Sequence, residues 1–150
     1  MKTELEKNFA KIELMATPEN VSLARIIVAG FIAPLDPTLD EDSDIKTAVS
    51  EAVTNAIIHG YDTQSGTVTL NISHNNQREI TIEVIDSGIG IADIDTVRTP
   101  LFTTKPDLER SGLGFTVMES FMDHLEIKSE LGAGTTVILT KKLGTTQNGK

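Results

Sequence analysis

Apolar positions recur along the chain with two different periods, and the switches between them predict a series of strands and helices. Phe9 to Met15 alternates, with Phe9, Ile12 and Leu14 only roughly in phase, and predicts a first strand. Thr17-Pro18-Glu19 has the order of a helix start: a hydroxyl cap, proline at the first helical position and an early acid. Ala24, Ile27, Val28 and Phe31 then form a helical stripe that ends near Pro34 and Pro37. Asp40, Glu41, Asp42 and Asp44 put negative charge where the next helix begins, the end at which the helix dipole favours it. That helix is expected to reach about His59, with Gly60 as its stop.

The middle of the chain reads as β-structure. Val68, Leu70 and Ile72 share one face of a strand from Thr67 to Ser73, and Ile80, Ile82 and Val84 share one face of a second from Glu79 to Ile85. Asn75-Asn76 is the hairpin turn between them. Ile94 to Arg110 keeps no sustained period and contains two prolines, so it is expected to be a functional lid or mobile loop. A helix is expected from about Gly114, burying Val117, Met118, Phe121, Met122 and Leu125. Strands from Leu125 to Ser129 and Thr135 to Lys141 follow, joined around Gly132-Ala-Gly134. The fold class expected is α+β: a two-layer sandwich of a mixed β-sheet with helices on one face. A single domain over 1–143 is expected, with 144–150 as a frayed polar tail.

Composition narrows the possibilities. A chain of 150 residues has room for a real core, and 39% hydrophobic against 23% charged residues marks a globular protein. The net charge of −9 argues against direct nucleic-acid binding, which leaves a basic footprint. With no cysteine, disulfides and thiolate chemistry are excluded, which fits a cytoplasmic location. The charged N-terminus lacks the apolar core of a signal peptide, and the run from Ile26 to Leu35 is too short to span a membrane.

Three motifs carry candidate chemistry. Glu51, Asn55 and His59 are four apart and stack along one flank of the second helix, beside the apolar face of Ile45, Ala48, Val49, Ala52, Val53 and Ala56. An asparagine oxygen suits Mg²⁺, which takes few protein ligands, and Glu51 one turn earlier could accept a proton. Asp86-Ser-Gly88-Ile-Gly90 ends an apolar strand in a turn able to approach a ligand, with a carboxylate that could accept from an exocyclic amine such as adenine's. Ser111-Gly112-Leu-Gly114-Phe115 opens a helix, where bare backbone N–H groups form a phosphate site, with Lys105 and Arg110 near in sequence. Each motif taken singly also reads as an ordinary turn, a solvated flank or a capped helix. Neither a Walker A sequence nor the dinucleotide glycine fingerprint is present, so any phosphate would be held by another kind of nucleotide fold.

In this order the three clusters resemble the asparagine box and two glycine boxes of the ATPase superfamily shared by gyrase, heat-shock-90 chaperones, histidine kinases and MutL. Gly134-Thr135-Thr136 resembles the final adenine-side strand of that superfamily. More narrowly, Ser50 to Tyr61, Pro100 to Phe115 and Leu35-Asp-Pro-Thr38 are similar to the sporulation anti-sigma-F factors over nearly the whole chain. The resemblance implies a Bergerat-type ATP-binding fold in a homodimeric protein serine kinase that also sequesters a sporulation sigma factor.

It further implies roles for particular residues. Glu51 would be the general base toward a serine of an anti-anti-sigma protein, and Asn55 would coordinate Mg²⁺. Asp86 would read the adenine amine of ATP or ADP, with Gly88 and Gly90 shaping that end. Thr103, Thr104 and Lys105 would lie in the lid; Ser111, Gly112, Gly114 and Phe115 would line the phosphates. Thr135 or Thr136 would sit by the adenine, and Arg25 would lie on the partner-binding surface. A general-stress anti-sigma kinase, an isolated histidine-kinase module and a non-catalytic nucleotide-gated binder remain as alternatives. No membrane or direct nucleic-acid partner is expected.

Overall fold

A computed structural model describes residues 5–60, 66–87, 106–130 and 134–144, the side chains of 59, 60, 106–113 and 130 excepted. In chain order the elements are β1 (Glu6–Met15), α1 (Asn20–Ile32), α2 (Leu39–Asn55), β2 (Thr67–Asn75), β3 (Glu79–Asp86), α3 (Pro106–Phe121), β4 (His124–Glu130) and β5 (Gly134–Lys142). A 3₁₀ turn, Ala33–Leu35, links α1 to α2, and a π-helical turn, Ala56–Gly60, extends α2. No helix among the described residues is long and apolar enough to cross a membrane.

The five strands lie in the order β1-β2-β3-β5-β4. Every neighbouring pair is antiparallel, which corrects the mixed sheet expected from the sequence. The crossover through α3 does return β4 in the direction of β3, but β5 folds back between them and separates the parallel pair. One face of the sheet is apolar because its strands keep the period of two. Leu14, Val68, Leu70, Ile72, Ile80, Ile82, Val84, Ile127, Val137 and Leu139 are buried there in one core with residues of all three helices. Phe9 is out of phase with Ile12 and Leu14, lies on the opposite face and stays exposed.

The helices start where local chemistry lets them. Thr38 and Glu41 form a capping box on α2: the Glu41 N–H donates to Thr38 Oγ1 at 3.0 Å, and the Thr38 N–H donates to Glu41 Oε1 at 2.9 Å. Burial pushes the Glu41 carboxyl up. N–H groups of Gly144 and Thr38, the Thr38 hydroxyl and nearby Arg78 outweigh that and hold it below its ordinary range. Helix α1 begins at Asn20, not at Pro18, since the Thr17 and Pro18 carbonyls are taken up in a turn by the N–H groups of Asn20 and Val21. The start of α3 also differs, beginning eight residues ahead of Gly114 at Pro106. Pro106 followed by Asp107 and Glu109 is itself a helix-start pattern.

At one end of the sheet, Asn75 Oδ1 accepts from the N–H groups of Gln77 and Glu79 and closes the β2–β3 turn. Arg78 takes a left-handed conformation there, φ 63°. Its guanidinium donates to the carbonyls of Leu35 and Gly144, and Glu41 Oε2 accepts from the Gly144 N–H. These bonds tie the end of α1, the start of α2 and the end of β5 together. The candidate site is at the other end.

Candidate functional site

Helix α2 delivers Glu51 and Asn55 to that end. Its inner face, Ile45, Ala48, Val49, Ala52 and Val53, is buried as the apolar spacing requires, which fixes the rotation of the helix and so the flank that carries the two polar residues. Glu51 is half-buried, and Asn55 is 7% exposed. Both meet Gly114 of α3: a β-carbon there would stand 3.0 Å from Glu51 Oε1 and 3.2 Å from Asn55 Nδ2. The missing side chain is what lets α3 lie directly on the pair.

Asn55 Nδ2 is buried and has no hydrogen-bond partner among the described residues. Such a group costs about 1–3 kcal/mol, a cost that a ligand bonding to the amide would offset. Its oxygen is the kind of neutral donor a hard cation accepts. Among the described residues no group of three or more His, Cys, Asp and Glu could hold a metal ion alone. A Mg²⁺ ion that arrives with phosphates and takes a single amide oxygen fits this donor set.

The His59 side chain, expected to continue the line of Glu51 and Asn55, lies outside the described residues. Beyond Asn55 the backbone passes into a π-helical turn, Ala56–Gly60, with a wider i→i+5 ring. Turns of this kind inside α-helices are frequent at functional sites.

A second group of polar residues lies on the same helix-facing side of the sheet, at the ends of β3, β4 and β5. Register places Val68, Asp86, Thr135 and Ser129 in one row across β2, β3, β5 and β4. Asp86 is 6% and Thr135 8% exposed, both held inward by the period that buries Val84 and Val137. Thr136 therefore points to the opposite face, and of the two threonines Thr135 is the one beside Asp86. Ser129 Oγ lies 2.8 Å from Thr135 Oγ1 and donates to the Gly134 carbonyl at 3.1 Å.

Gly134 holds this corner together. Its φ is +98°, and a β-carbon on it would stand 2.1 Å from the Asp86 carbonyl oxygen and 2.7 Å from Ser87 Cα. Only glycine can bring the start of β5 so close to the end of β3.

The other expected site residues are distributed differently. Gly88, Gly90, Thr103, Thr104 and Lys105 lie outside the described residues. Ser111 and Gly112 fall inside α3 rather than at its first turn, and so does Gly114, because the helix starts at Pro106. Unpaired N–H groups at the start of this helix thus belong to residues before Arg110. The Phe115 side chain is 1% exposed and packed in the core, so only its backbone is left for a ligand. Arg25 is exposed on α1, away from both polar groups, in a shallow surface recess lined by Ser22, Ile26, Ala29 and Lys46.

Ser129 escaped the sequence reading. The signal was available: folding Leu125–Ser129 back on Thr135–Lys141 sets Ser129 opposite Thr135.

The profile of the family described as "Histidine kinase-like ATPase domain" matches residues 14–141. A protein of Clostridium acetobutylicum named anti-sigma F factor is 55% identical over 91% of this chain and 94% of its own. One of the same name from Clostridium beijerinckii is 52% identical over 92% and 96%. Among solved structures, the RsbU and RsbW domains of a Mycobacterium tuberculosis protein superpose with a TM-score of 0.66 at 22% identity, over 93% of this chain and 34% of that one. The catalytic domain of histidine kinase ThkA superposes with a TM-score of 0.55 at 14% identity, over 91% of this chain and 97% of that one.

Proposed function

Because the chain belongs to the anti-sigma F factors, within the histidine kinase-like ATPase domains, we propose that it binds a sporulation sigma factor and uses Mg·ATP to phosphorylate a serine of an anti-anti-sigma protein. The observation that carries this is the pairing of two polar groups on one side of the sheet. Glu51, Asn55 and Gly114 meet at the end of α2, and Asp86 with Thr135 occupies the end of β3 and β5.

In this reading Asp86 accepts from the exocyclic amine of adenine, and Thr135 stands beside it. Asn55 holds Mg²⁺ through its amide oxygen; the ion supplies charge neutralisation on the phosphates. Glu51 accepts the proton of the attacking serine hydroxyl as the new oxygen–phosphorus bond forms and the bond to ADP breaks. Gly88 and Gly90 shape the adenine end, and Thr103, Thr104 and Lys105 belong to the lid. The backbone of Ser111, Gly112, Gly114 and Phe115 lines the phosphates. Arg25, with Ile26 and Lys46 beside it, is the contact for the protein partner. Exposed Phe9, Met15, Leu23 and Ile26 on β1 and α1 supply the seam of a homodimer.

The test is transfer of label from γ-labelled ATP with Mg²⁺ to a candidate anti-anti-sigma protein, with and without its acceptor serine. Label on the serine-containing form alone is expected, with Glu51→Ala lowering the rate at least ~100-fold while ATP still binds. Undiminished transfer by Glu51→Ala would remove that residue from the role. ATP binding without any transfer would leave a nucleotide-gated binder.

A further inference from the structure

We propose that Lys141 is a positioning residue for phosphotransfer: its ammonium braces the far end of α3 and so holds Gly114 against Glu51 and Asn55. The inference rests on the phosphotransfer reading above and adds to it a residue outside the site.

Phe121 closes α3, and its carbonyl is one of the last four in the helix, which have no partner within it. Lys141 lies on the helix-facing side of β5, two residues beyond buried Leu139, and its Nζ donates to that carbonyl at 2.8 Å. The positive charge stands at the negative end of the helix dipole. The same Nζ is 3.9 Å from Asp44 Oδ2 on α2. Only 14% of the Lys141 side chain is exposed, so its charge is screened much less than that of a surface lysine. One cation thus joins α2, α3 and β5.

Two further bonds fasten the same corner. The Asp123 N–H donates to the Thr140 carbonyl at 2.9 Å, and Asp123 Oδ2 accepts from the Lys142 N–H at 2.7 Å. Just past them the Gly144 N–H donates to Glu41 at the start of α2. The end of β5 therefore holds both helices on neighbouring residues and sets one against the other.

Phe121 is seven residues beyond Gly114, and Asp44 is seven before Glu51. Helices α2 and α3, which run antiparallel, are thus anchored at two levels about 10 Å apart at the usual rise per residue. Between those levels Ala48 and Met118 are buried in the common core. Apolar burial draws helices together but has no direction of its own, which leaves the roll and slide of α3 to the anchors. Tolerance is small at the Gly114 level, where Glu51 Oε1 and Asn55 Nδ2 have only the room of a missing side chain. Without the ammonium α3 loses its fixed far end, and the contact that sets Glu51 and Asn55 loosens.

The experiment measures label transfer from γ-labelled Mg·ATP to the candidate anti-anti-sigma protein. It compares the full chain with Lys141→Met, Lys141→Arg, Gly114→Ala and the double variant of Lys141→Met with Gly114→Ala, each under conditions where its urea curve shows it folded. Lys141→Met, which keeps the length of the side chain without its charge, is expected to lower kcat about tenfold and to leave KM for ATP within about threefold. Lys141→Arg keeps a cationic donor and is expected to restore kcat. Since both substitutions act on one contact, the double variant is expected to be little slower than Gly114→Ala alone, whereas independent losses would multiply to about a hundredfold. A parental kcat from Lys141→Met or from Gly114→Ala, failure of Lys141→Arg to restore it, or losses that multiply would each overturn the inference and leave the phosphotransfer reading in place. Should Lys141→Met not fold, Asp44→Asn, which removes the α2 arm of the brace, decides by the same comparison. A lowered kcat that does not compound with Gly114→Ala supports the brace, and a parental kcat or multiplying losses refute it. An unmodified chain that transfers no label overturns the phosphotransfer reading and this inference with it.

Discussion

Replacing Gly114 by alanine separates stability from function in a way that few substitutions here would. Position 114 is well inside α3, where alanine is favoured over glycine by about 0.5–1 kcal/mol because the unfolded chain has less freedom to lose. Against that, the added methyl meets Glu51 Oε1 at 3.0 Å and Asn55 Nδ2 at 3.2 Å, so each must retreat by a few tenths of an ångström. Both atoms are at the ends of side chains and can yield without moving backbone. The two effects oppose each other, and the net change in stability should stay within about 1 kcal/mol. Function has less tolerance, because a productive site must be held within about 0.5 Å. A displaced carboxylate and amide should therefore lower phosphotransfer about tenfold or more. The pair of assays is a urea unfolding curve and the rate of label transfer from ATP to the serine-containing partner. A folded Gly114→Ala protein with an unaltered transfer rate would refute the argument that the α3 contact sets the position of Glu51 and Asn55.

Gly134→Ala should behave in the opposite sense. Its β-carbon would stand 2.1 Å from backbone, not side chain, and the left-handed φ adds strain of its own. A loss of at least about 2 kcal/mol is expected, together with loss of ATP binding; a urea midpoint close to the parent's would count against the packing described. Glu41 gives a pH signature. Its carboxyl is held below the ordinary value of 4.5 in the folded chain, so it contributes stability that is complete above that value and disappears as pH falls through the lower, folded one. Glu41→Gln should therefore flatten the acid limb of stability against pH, and a limb parallel to the parent's would remove Glu41 as its source.

Much of the fold was legible because the apolar period changes cleanly. Val68, Leu70 and Ile72, with Ile80, Ile82 and Val84, announced both the strands and the face they bury. Thr38 and Glu41 were less visible as a cap than the acidic run around them, which suggested a helix from about Asp44, whereas the capping box starts α2 at Leu39. Helix α3 was misjudged for a physical reason: Gly112 and Gly114 are poor helix formers, and they hid the proline-and-acid start at Pro106. At Gly114 tertiary contact overrides propensity, since the missing side chain lets α3 lie on Glu51 and Asn55 of α2. Pairing across the sheet was harder still. That β5 falls between β3 and β4 depends on which strand fills a gap, which no local pattern encodes.

The site divides in the same way. Glu51, Asn55 and Asp86 could be picked out as residue types at the ends of periodic segments. The choice between Thr135 and Thr136 needed strand phase, and the place of Ser129 beside Thr135 needed register.

The knot of bonds around Arg78 has a topological consequence. The Leu5 carbonyl accepts from the Asn76 N–H and the Gly144 carbonyl accepts from Arg78, so both residues lie against the same β2–β3 turn. Strand β3 runs its 8 residues from that turn to Asp86, a span of roughly 23 Å at the usual rise per residue. Leu5 and Gly144 are thus fastened at the pole remote from Asp86 and Thr135, so a change to the bonds around Arg78 acts on the fold without touching either of those residues.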